Sequence, residues 1–251
     1  MKIAVTGASG YLGSRLSAAL ERSGNEVAAL GRGSTPSFEL ARAGELEPEW
    51  RRALSGVETL VHAGWDLGRL PLSRRRSVNV EGSRTLFGAA RSAGVGRIVF
   101  LSSTLARDDS RSRYGQAKRE VERMLDPARD LALRIGWVFG KSAFPPALAR
   151  LLAVSPWFPW PGTGRELVYC IGEEELMASV PQLVSSRETG LRFVMRREPL
   201  EPAAFVARLL GRDRARILSL RAGALREAAQ SIDSLSDMRR IDVENAKLVI
   251  P

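Results

Sequence analysis

The sequence predicts an α/β protein: a doubly wound parallel sheet with helices on both faces, followed by a smaller C-terminal α/β cap. Three observations carry this. Short apolar segments alternate with helical ones through the first 140 residues, which gives β-α-β units. A glycine-rich turn follows the first apolar segment directly. After Gly140 the alternation breaks, prolines gather (Pro145, Pro146, Pro156, Pro159, Pro161), and Trp157 and Trp160 appear.

Taken in order, Lys2 to Thr6 (KIAVT) reads as a short buried strand. A helix runs from about Leu12 to Ser23, with Leu12, Leu16, Ala19 and Leu20 on one face, and Gly24-Asn25 ends it. Glu26 to Leu30 is the second strand, Glu49 to Leu54 a short helix and Thr59 to His62 the third strand. Val78 to Ser92 is helical, Arg97 to Leu101 a strand, Tyr114 to Leu125 helical and Leu131 to Ile135 a strand. Alternation returns weakly at Leu191 to Met195, and the tail as a whole is too irregular to continue the sheet. Residues 1–140, with 168–185, are therefore expected to form the main domain. Residues 141–251 form a substrate-binding cap over the carboxyl ends of the strands, where open α/β sheets bind ligands.

Composition removes several classes. At 251 residues, 44% hydrophobic and 26% charged, the chain has ordinary globular balance. One cysteine, Cys170, excludes an intrachain disulfide framework. One histidine, His62, excludes a zinc site needing two, and no metal is expected. The net charge is +10, and only four of the 38 basic residues are lysine (Lys2, Lys118, Lys141, Lys247). Such a chain attracts anions. No nucleic-acid motif accompanies the charge, so nucleic acid is not an expected partner. No apolar run approaches the roughly 20 residues that span a bilayer. The N-terminus reads as a strand rather than a signal peptide, so the expected place is the cytoplasm, away from membranes.

Four segments can carry chemistry. The first is Thr6-Gly7-Ala8-Ser9-Gly10-Tyr11-Leu12-Gly13. Glycines let the turn be tight and the backbone approach a ligand, and the helix start offers N–H groups to a pyrophosphate. The spacing alone arises by chance about 0.2 times in such a chain; its position between the first strand and first helix gives it weight. It makes the main domain a Rossmann-type dinucleotide-binding domain. The second is Leu30-Gly31-Arg32-Gly33, ending the second strand. An NAD site wants a carboxylate there; Arg32 suits the 2′-phosphate of NADP(H) instead.

The third is Tyr114-Gly115-Gln116-Ala117-Lys118. With three tyrosines and four lysines, Tyr-x-x-x-Lys arises by chance about 0.05 times. On a helix the two share a face, and the Lys118 ammonium is expected to lower the Tyr114 pKa and make it a proton donor. The fourth is Ser102-Ser103-Thr104 after a strand, with Thr104 available to a substrate oxygen and the serines to the turn.

Together these residues resemble the extended short-chain dehydrogenase/reductase family, also called the NAD-dependent epimerase/dehydratase family. Asn79-Val80-Glu81-Gly82-Ser83 is similar to its N-V-x-G-T helix, which adds Asn79 to the catalytic candidates Thr104, Tyr114 and Lys118. Gly44-Glu45-Leu46 stands for its G-D-L, so Glu45 and Leu46 are candidate neighbours of the adenine. Val61-His62-Ala63-Gly64 resembles its V-H-x-A strand end, which makes His62 a residue packed beside the cofactor rather than a base. Leu133 to Gly140 resembles its L-R-x-x-x-V-Y-G segment and brings Gly136 and Val138 to the cofactor. Asp242 to Leu248 resembles the family's terminal stretch. The family's sugar dehydratases follow the threonine with an Asp-Glu pair; here Leu105 and Ala106 stand there, which argues against dehydration.

The resemblance implies an NADPH-dependent ketoreductase, with Tyr114 giving the proton, Thr104 holding the alkoxide and Lys118 binding the nicotinamide ribose. The segment Arg134 to Gly140 is most like deoxysugar 4-ketoreductases, so a nucleotide-diphosphate 4-keto-deoxysugar is the expected ketone. Arg165, Arg221 and Arg239 are candidates for its diphosphate. Trp65, Trp137, Trp157 and Trp160 could instead line an aromatic pocket for a polyketide-type ketone. An epimerase that keeps its cofactor is the other alternative. Arg74-Arg75-Arg76, at the start of a helix, places positive charge against the helix dipole. Relatives dimerise through the helices holding Asn79 and Tyr114; here those are arginine-rich, and both homodimer and monomer stand.

Overall fold

The computed structural model describes residues 1–67, 72–140, 157–161, 164–211 and 213–220. Its centre is a six-stranded sheet in the order β2-β1-β3-β4-β5-β9. The strands are β1 (Lys2–Thr6), β2 (Glu26–Leu30), β3 (Thr59–His62), β4 (Arg97–Ser103), β5 (Leu131–Ile135) and β9 (Gly190–Val194). β1 runs parallel to both β2 and β3, pairing Thr6 with Leu30 on one side and with His62 on the other. β3 is parallel to β4. The strand order reverses at β1, so the carboxyl ends of β1 and β3 flank the crevice where such sheets bind ligands.

Helix α1 (Tyr11–Arg22) buries Leu16, Ala19 and Leu20, the expected apolar stripe, and Gly24 at φ +82° turns the chain into β2. Helix α2 (Ala43–Ala53) starts six residues earlier than the sequence predicts. Pro48 sits within the helix. Ala43, Leu46 and Trp50, buried at helical spacing, hold the first turns against the core, and that packing outweighs one lost backbone bond. Helix α3 (Leu72–Ser92) also starts earlier than expected, so Arg74, Arg75 and Arg76 lie in its opening turns; Arg76 pairs with Glu120 at 2.6 Å. Helix α4 spans Arg113–Glu122.

The sheet differs from expectation at its edge. The segment Gly190–Val194 does continue the sheet, as β9. Helix α5 (Glu173–Ser185) precedes it, and Arg97 at the start of β4 closes that helix, donating to the Leu183, Val184, Ser186 and Glu188 carbonyls. These contacts reach across more than 80 residues of chain, so no local pattern discloses them.

The chain divides into two compact units. The first holds Met1–Ser102, Ala117–Leu133 and Met177–Arg192, with a core of Leu60, Ile98, Phe100, Trp50, Leu54 and Leu86. The second takes the described residues of Ser103–Gln116, Arg134–Leu176 and Phe193–Pro251. It contains two parallel strand pairs, β6 (Trp137–Phe139) with β8 (Cys170–Gly172) and β7 (Trp157–Pro161) with β10 (Arg216–Leu220). Helix α6 (Pro202–Leu210) supplies Phe205 and Val206 to a core shared with Trp160, Val168 and Cys170. Pro145, Pro146, Pro156, Arg221, Arg239 and the stretch Asp242 to Leu248 lie outside the described residues. Among the described residues, no helix is long and apolar enough to cross a membrane.

Candidate active site

The glycine turn is built by contact, not only by flexibility. Gly7 has φ +72°, and a Cβ there would lie 2.7 Å from the Gly64 Cα and N at the end of β3. Gly10 N donates to Gly7 O at 2.8 Å. A Cβ on Gly13 would come within 2.1 Å of Gly7 O. The start of α1, with Tyr11, Leu12 and Gly13, therefore seats directly on the turn at the crevice. No acidic side chain occupies the helix's first turn, which leaves its N–H end suited to a phosphate.

The corner after β2 shows why no carboxylate stands there. A Cβ on Gly31 would meet Ser9 N at 2.9 Å and the Ser9 Cβ and Oγ at 3.1 Å. Ser9 Oγ also accepts from Arg32 N at 3.2 Å. Ser34 Oγ accepts from Gly31 N at 2.9 Å and lies 2.7 Å from Gly31 O, closing the turn. The Arg32 side chain is exposed at this corner. Hydroxyl and guanidinium are both groups that bind anions. Glu45 is exposed and held by Arg42 at 3.0 Å, which keeps its carboxyl below the usual range. Leu46 is buried in the core below it.

His62 joins β3 to its neighbours. Its Nδ1 lies 2.7 Å from Thr6 Oγ1 and its Nε2 2.9 Å from Ser83 Oγ. Ser83 donates its own proton to Asn79 O at 2.7 Å, so His62 Nε2 must donate to Ser83 and Nδ1 accept from Thr6. Thr6 Oγ1 in turn accepts from Gly64 N at 3.3 Å, one residue past half-buried Ala63. Burial, then the charge on Lys118, pushes the imidazole down to about 3. A neutral ring with both nitrogens occupied is a brace, not a base. Asn79, expected among the catalytic groups, grips the backbone of Asp66 from both sides: its Oδ1 accepts from Asp66 N at 2.8 Å and its Nδ2 donates to Asp66 O at 3.0 Å. It positions the loop after β3.

Lys118 reaches back from α4 to the end of β4, where its buried ammonium donates to Leu101 O at 2.7 Å. Its Nζ lies 3.8 Å from the Trp65 ring centroid and 4.5 Å from that of Phe100. Burial pulls Lys118 down to about 7, opposed by Glu122. Glu122, one turn further along α4, is itself buried, accepting from Ser102 Oγ at 2.6 Å and from Arg119 at 3.3 Å. Trp65 was expected to line a substrate pocket; here it faces the lysine.

In the second unit, Tyr114 is hydrogen-bonded with Ser103. Burial pushes its hydroxyl up to about 12, against which the Ser103 bond acts. This reverses the expected direction: removing the phenolate from water outweighs stabilisation of its charge. Thr104 is buried and donates its N–H to Ile135 O at 3.2 Å. A Cβ on Gly115 would strike Leu105 O and Ser110 Oγ at 2.3 Å, so the start of α4 is fitted tightly to the preceding loop. Leu105 and Ala106 are buried as well.

Gly136 leaves no room for a side chain, since a Cβ would meet Tyr169 O at 2.8 Å. Trp137 N donates to Tyr169 O at 2.8 Å, and Val138 is in register with Ile171. The tryptophans do not behave alike. Trp157 is 48% exposed, with the Arg216 guanidinium 5.6 Å from its ring. Trp137 is half-buried against Phe205. Trp160 is a correction to the expected pocket wall: at 1% exposure it fills the core, 6.3 Å from Phe205, and its Nε1 donates to Glu166 at 2.9 Å. A cavity of about 400 Å³ lies beside the end of α3, lined by Arg84, Phe87, Arg91, Ile98, Arg123 and Asp126 among others.

Ser83 and Glu122 were given no role in the sequence-based site, and Ser103 was assigned only to the turn. Glu122 carried a local signal, as the next helical step after Tyr114 and Lys118.

The chain resembles proteins described as reductases. It is 30% identical over 179 residues to a ceramide reductase of Caulobacter vibrioides, matching 62% of this chain and 53% of that protein. It is 30% identical over 110 residues to a 2-alkyl-3-oxoalkanoate reductase of Stenotrophomonas maltophilia, matching 41% of this chain and 33% of that one. Uncharacterised mycobacterial proteins align over 16% of their length, so the chain spans about half or less of the curated relatives it matches. Among solved structures, a human epimerase family protein bound to NADPH superposes with a TM-score of 0.75 over 100% of this chain and 91% of that one, at 16% identity. The family model described as "NAD dependent epimerase/dehydratase family" matches residues 3–153, well over half the chain, and with the glycine turn and the Tyr114–Lys118 helix in place the protein belongs to that family.

Proposed function

We propose that the protein is an NADP(H)-dependent ketoreductase. The observation that carries this reading is the corner where Ser9 fills the position of a Gly31 side chain and Arg32 stands beside it. A carboxylate for an NAD ribose has no space there, whereas a 2′-phosphate meets a hydroxyl and a guanidinium. The start of α1 would hold the pyrophosphate, and Lys118 the nicotinamide ribose. The bound dinucleotide supplies a hydride.

Tyr114 supplies the proton at Oη. A phenol pushed up to about 12 stays protonated at neutral pH, the form needed to quench a developing alkoxide. An epimerase that keeps its cofactor is the alternative reading. Leu105 and Ala106 move no proton, which disfavours dehydration. Ser103 orients the Tyr114 hydroxyl and Thr104 holds the substrate oxygen.

The first substrate expectation is a nucleotide-diphosphate 4-keto-deoxysugar, from the likeness of Arg134 to Gly140 to deoxysugar ketoreductases. A 3-oxo acyl-type ketone is the second, favoured by the name of the 2-alkyl-3-oxoalkanoate reductase. An aromatic pocket is less favoured now that Trp160 is core. The setting is the cytoplasm, where NADPH is kept reduced. The test mixes protein, NADPH and a panel of ketosugar nucleotides, 3-oxo acyl esters and aromatic ketones, and follows nicotinamide absorbance. Stoichiometric NADPH loss is expected. Sugar epimerisation without net loss would overturn the reductase.

A further inference from the structure

We propose that Trp65 is a positioning residue for Lys118, its indole face holding the lysine ammonium in place at the carboxyl end of β4. This deepens the dinucleotide reading above and rests on it for the lysine's role.

A lysine is a poor fixed point by itself. Four methylenes separate charge from backbone, and ordering them costs rotamer entropy. The ammonium carries three donors, and one carbonyl does not fix its direction. Here the Leu101 carbonyl at 2.7 Å fixes one donor. The Trp65 ring at 3.8 Å and the Phe100 ring at 4.5 Å bound the remaining sides with their negative faces. The two rings are tilted 42° to each other with centroids 6.1 Å apart, forming an open corner rather than a stack. Attraction to a ring face costs no proton and no counter-charge.

Of the titratable neighbours, His62 is neutral and occupied by Thr6 and Ser83. Glu122 favours the lysine's charge and also accepts from Ser102 and Arg119. The aromatic corner adds to these a surface shaped to the ammonium.

Trp65 is itself held from outside. Gly64 before it is locked against Gly7 and Phe38, where a Cβ would come within 2.6 Å of the Phe38 ring. Asp66 after it is gripped on both backbone atoms by Asn79. The chain of support thus runs from Asn79 on α3 through Asp66 to Trp65 and on to Lys118. Asn79 acts on the lysine without touching it.

The experiment uses the full chain with ¹³C-labelled lysine. Four lysines give four ε-methylene signals, and Lys118→Gln identifies the one from Lys118. Ring currents should shift that signal upfield of the other three. Trp65→Leu should return it toward them, and Trp65→Phe should leave it between. The three other signals report that each variant is folded. In parallel, NADPH titration should show affinity weakened about tenfold in Trp65→Leu and largely restored in Trp65→Phe. A Lys118 signal that does not move in Trp65→Leu would overturn the proposal, as would unchanged NADPH affinity. The lysine signal is read without any cofactor. A wild type that shows the shift yet binds no dinucleotide would sink the functional reading, not the Trp65 contact.

Discussion

Ser9 stands where a side chain on Gly31 would go, 2.9 Å from the place of its Cβ. The glycine turn after β1 and the end of β2 are therefore one object. The same serine that crowds out a side chain at position 31 accepts the backbone N–H of Arg32 at its Oγ. Packing as well as charge therefore shapes this corner.

Arg32→Ala should weaken NADPH binding by about ten- to a hundredfold and leave NADH nearly unchanged, because a charge-assisted contact contributes roughly 1.5–3 kcal/mol. Gly31→Asp should not convert the site to NADH. Its side chain would collide with Ser9, so affinity for both dinucleotides should fall. Fluorescence titration of each cofactor decides. A Gly31→Asp variant that gains NADH affinity would show that the corner yields.

Tyr114→Phe should lower kcat by about 10²–10⁴-fold with NADPH affinity kept, since the ring remains and only the proton is lost. Ser103→Ala should act through Tyr114 and cost less, with the larger effect on kcat than on KM. Steady-state kinetics on whichever ketone is turned over reads both. If Ser103→Ala matched Tyr114→Phe, the serine rather than the tyrosine would be giving the proton.

Much of this site was legible before the fold was known, for an identifiable reason. The glycine turn, Arg32 and the Tyr114–Lys118 pair are local: spacing along one strand end or one helix face determines which residues meet. What stayed hidden is held by long-range contact. Nothing near Trp65 in sequence announces Lys118, 53 residues on, and nothing near Arg97 announces the carbonyls beyond α5. Trp160 was misjudged because a proline-rich segment with tryptophans reads equally as pocket or core, and Phe205, which decides it, arrives 45 residues later. The direction of the Tyr114 shift was missed because helical spacing reveals neighbours but not burial.

Trp160→Ala should destabilise the protein by about 3–5 kcal/mol, because a large core side chain is removed and the Glu166 carboxylate loses a donor. Trp157→Ala, at an exposed position, should change stability by about 0.5 kcal/mol or less. If Trp157 meets substrate, as expected from sequence, the same variant should raise KM. Denaturant unfolding separates the pair. Equal losses from the two substitutions would mean that Trp157 is packed in solution.

His62 gives the acid side of the stability profile. The folded imidazole sits near 3 against an ordinary value of 6.5, so between these limits the unfolded chain binds a proton that the folded chain does not. Its contribution to stability is fully present above pH 6.5 and is lost as pH falls toward 3. The cause is structural: protonation would require a donor at Nδ1, where Thr6 already donates, and would bury a charge near the Lys118 ammonium. Lys118 works on the other side. Its folded value near 7 lies below the usual 10.5, so it opposes folding most below pH 7 and is relieved as pH rises toward 10.5. Unfolding free energy should therefore climb from pH 5 to 6.5 with a slope that His62→Gln reduces, and Lys118→Met should stabilise the protein more at pH 6 than at pH 10. Urea titrations across that range measure both. A His62→Gln profile parallel to wild type between pH 5 and 6.5 would mean that the histidine ionises freely in the folded protein, and the neutral brace between Thr6 and Ser83 would have to be abandoned.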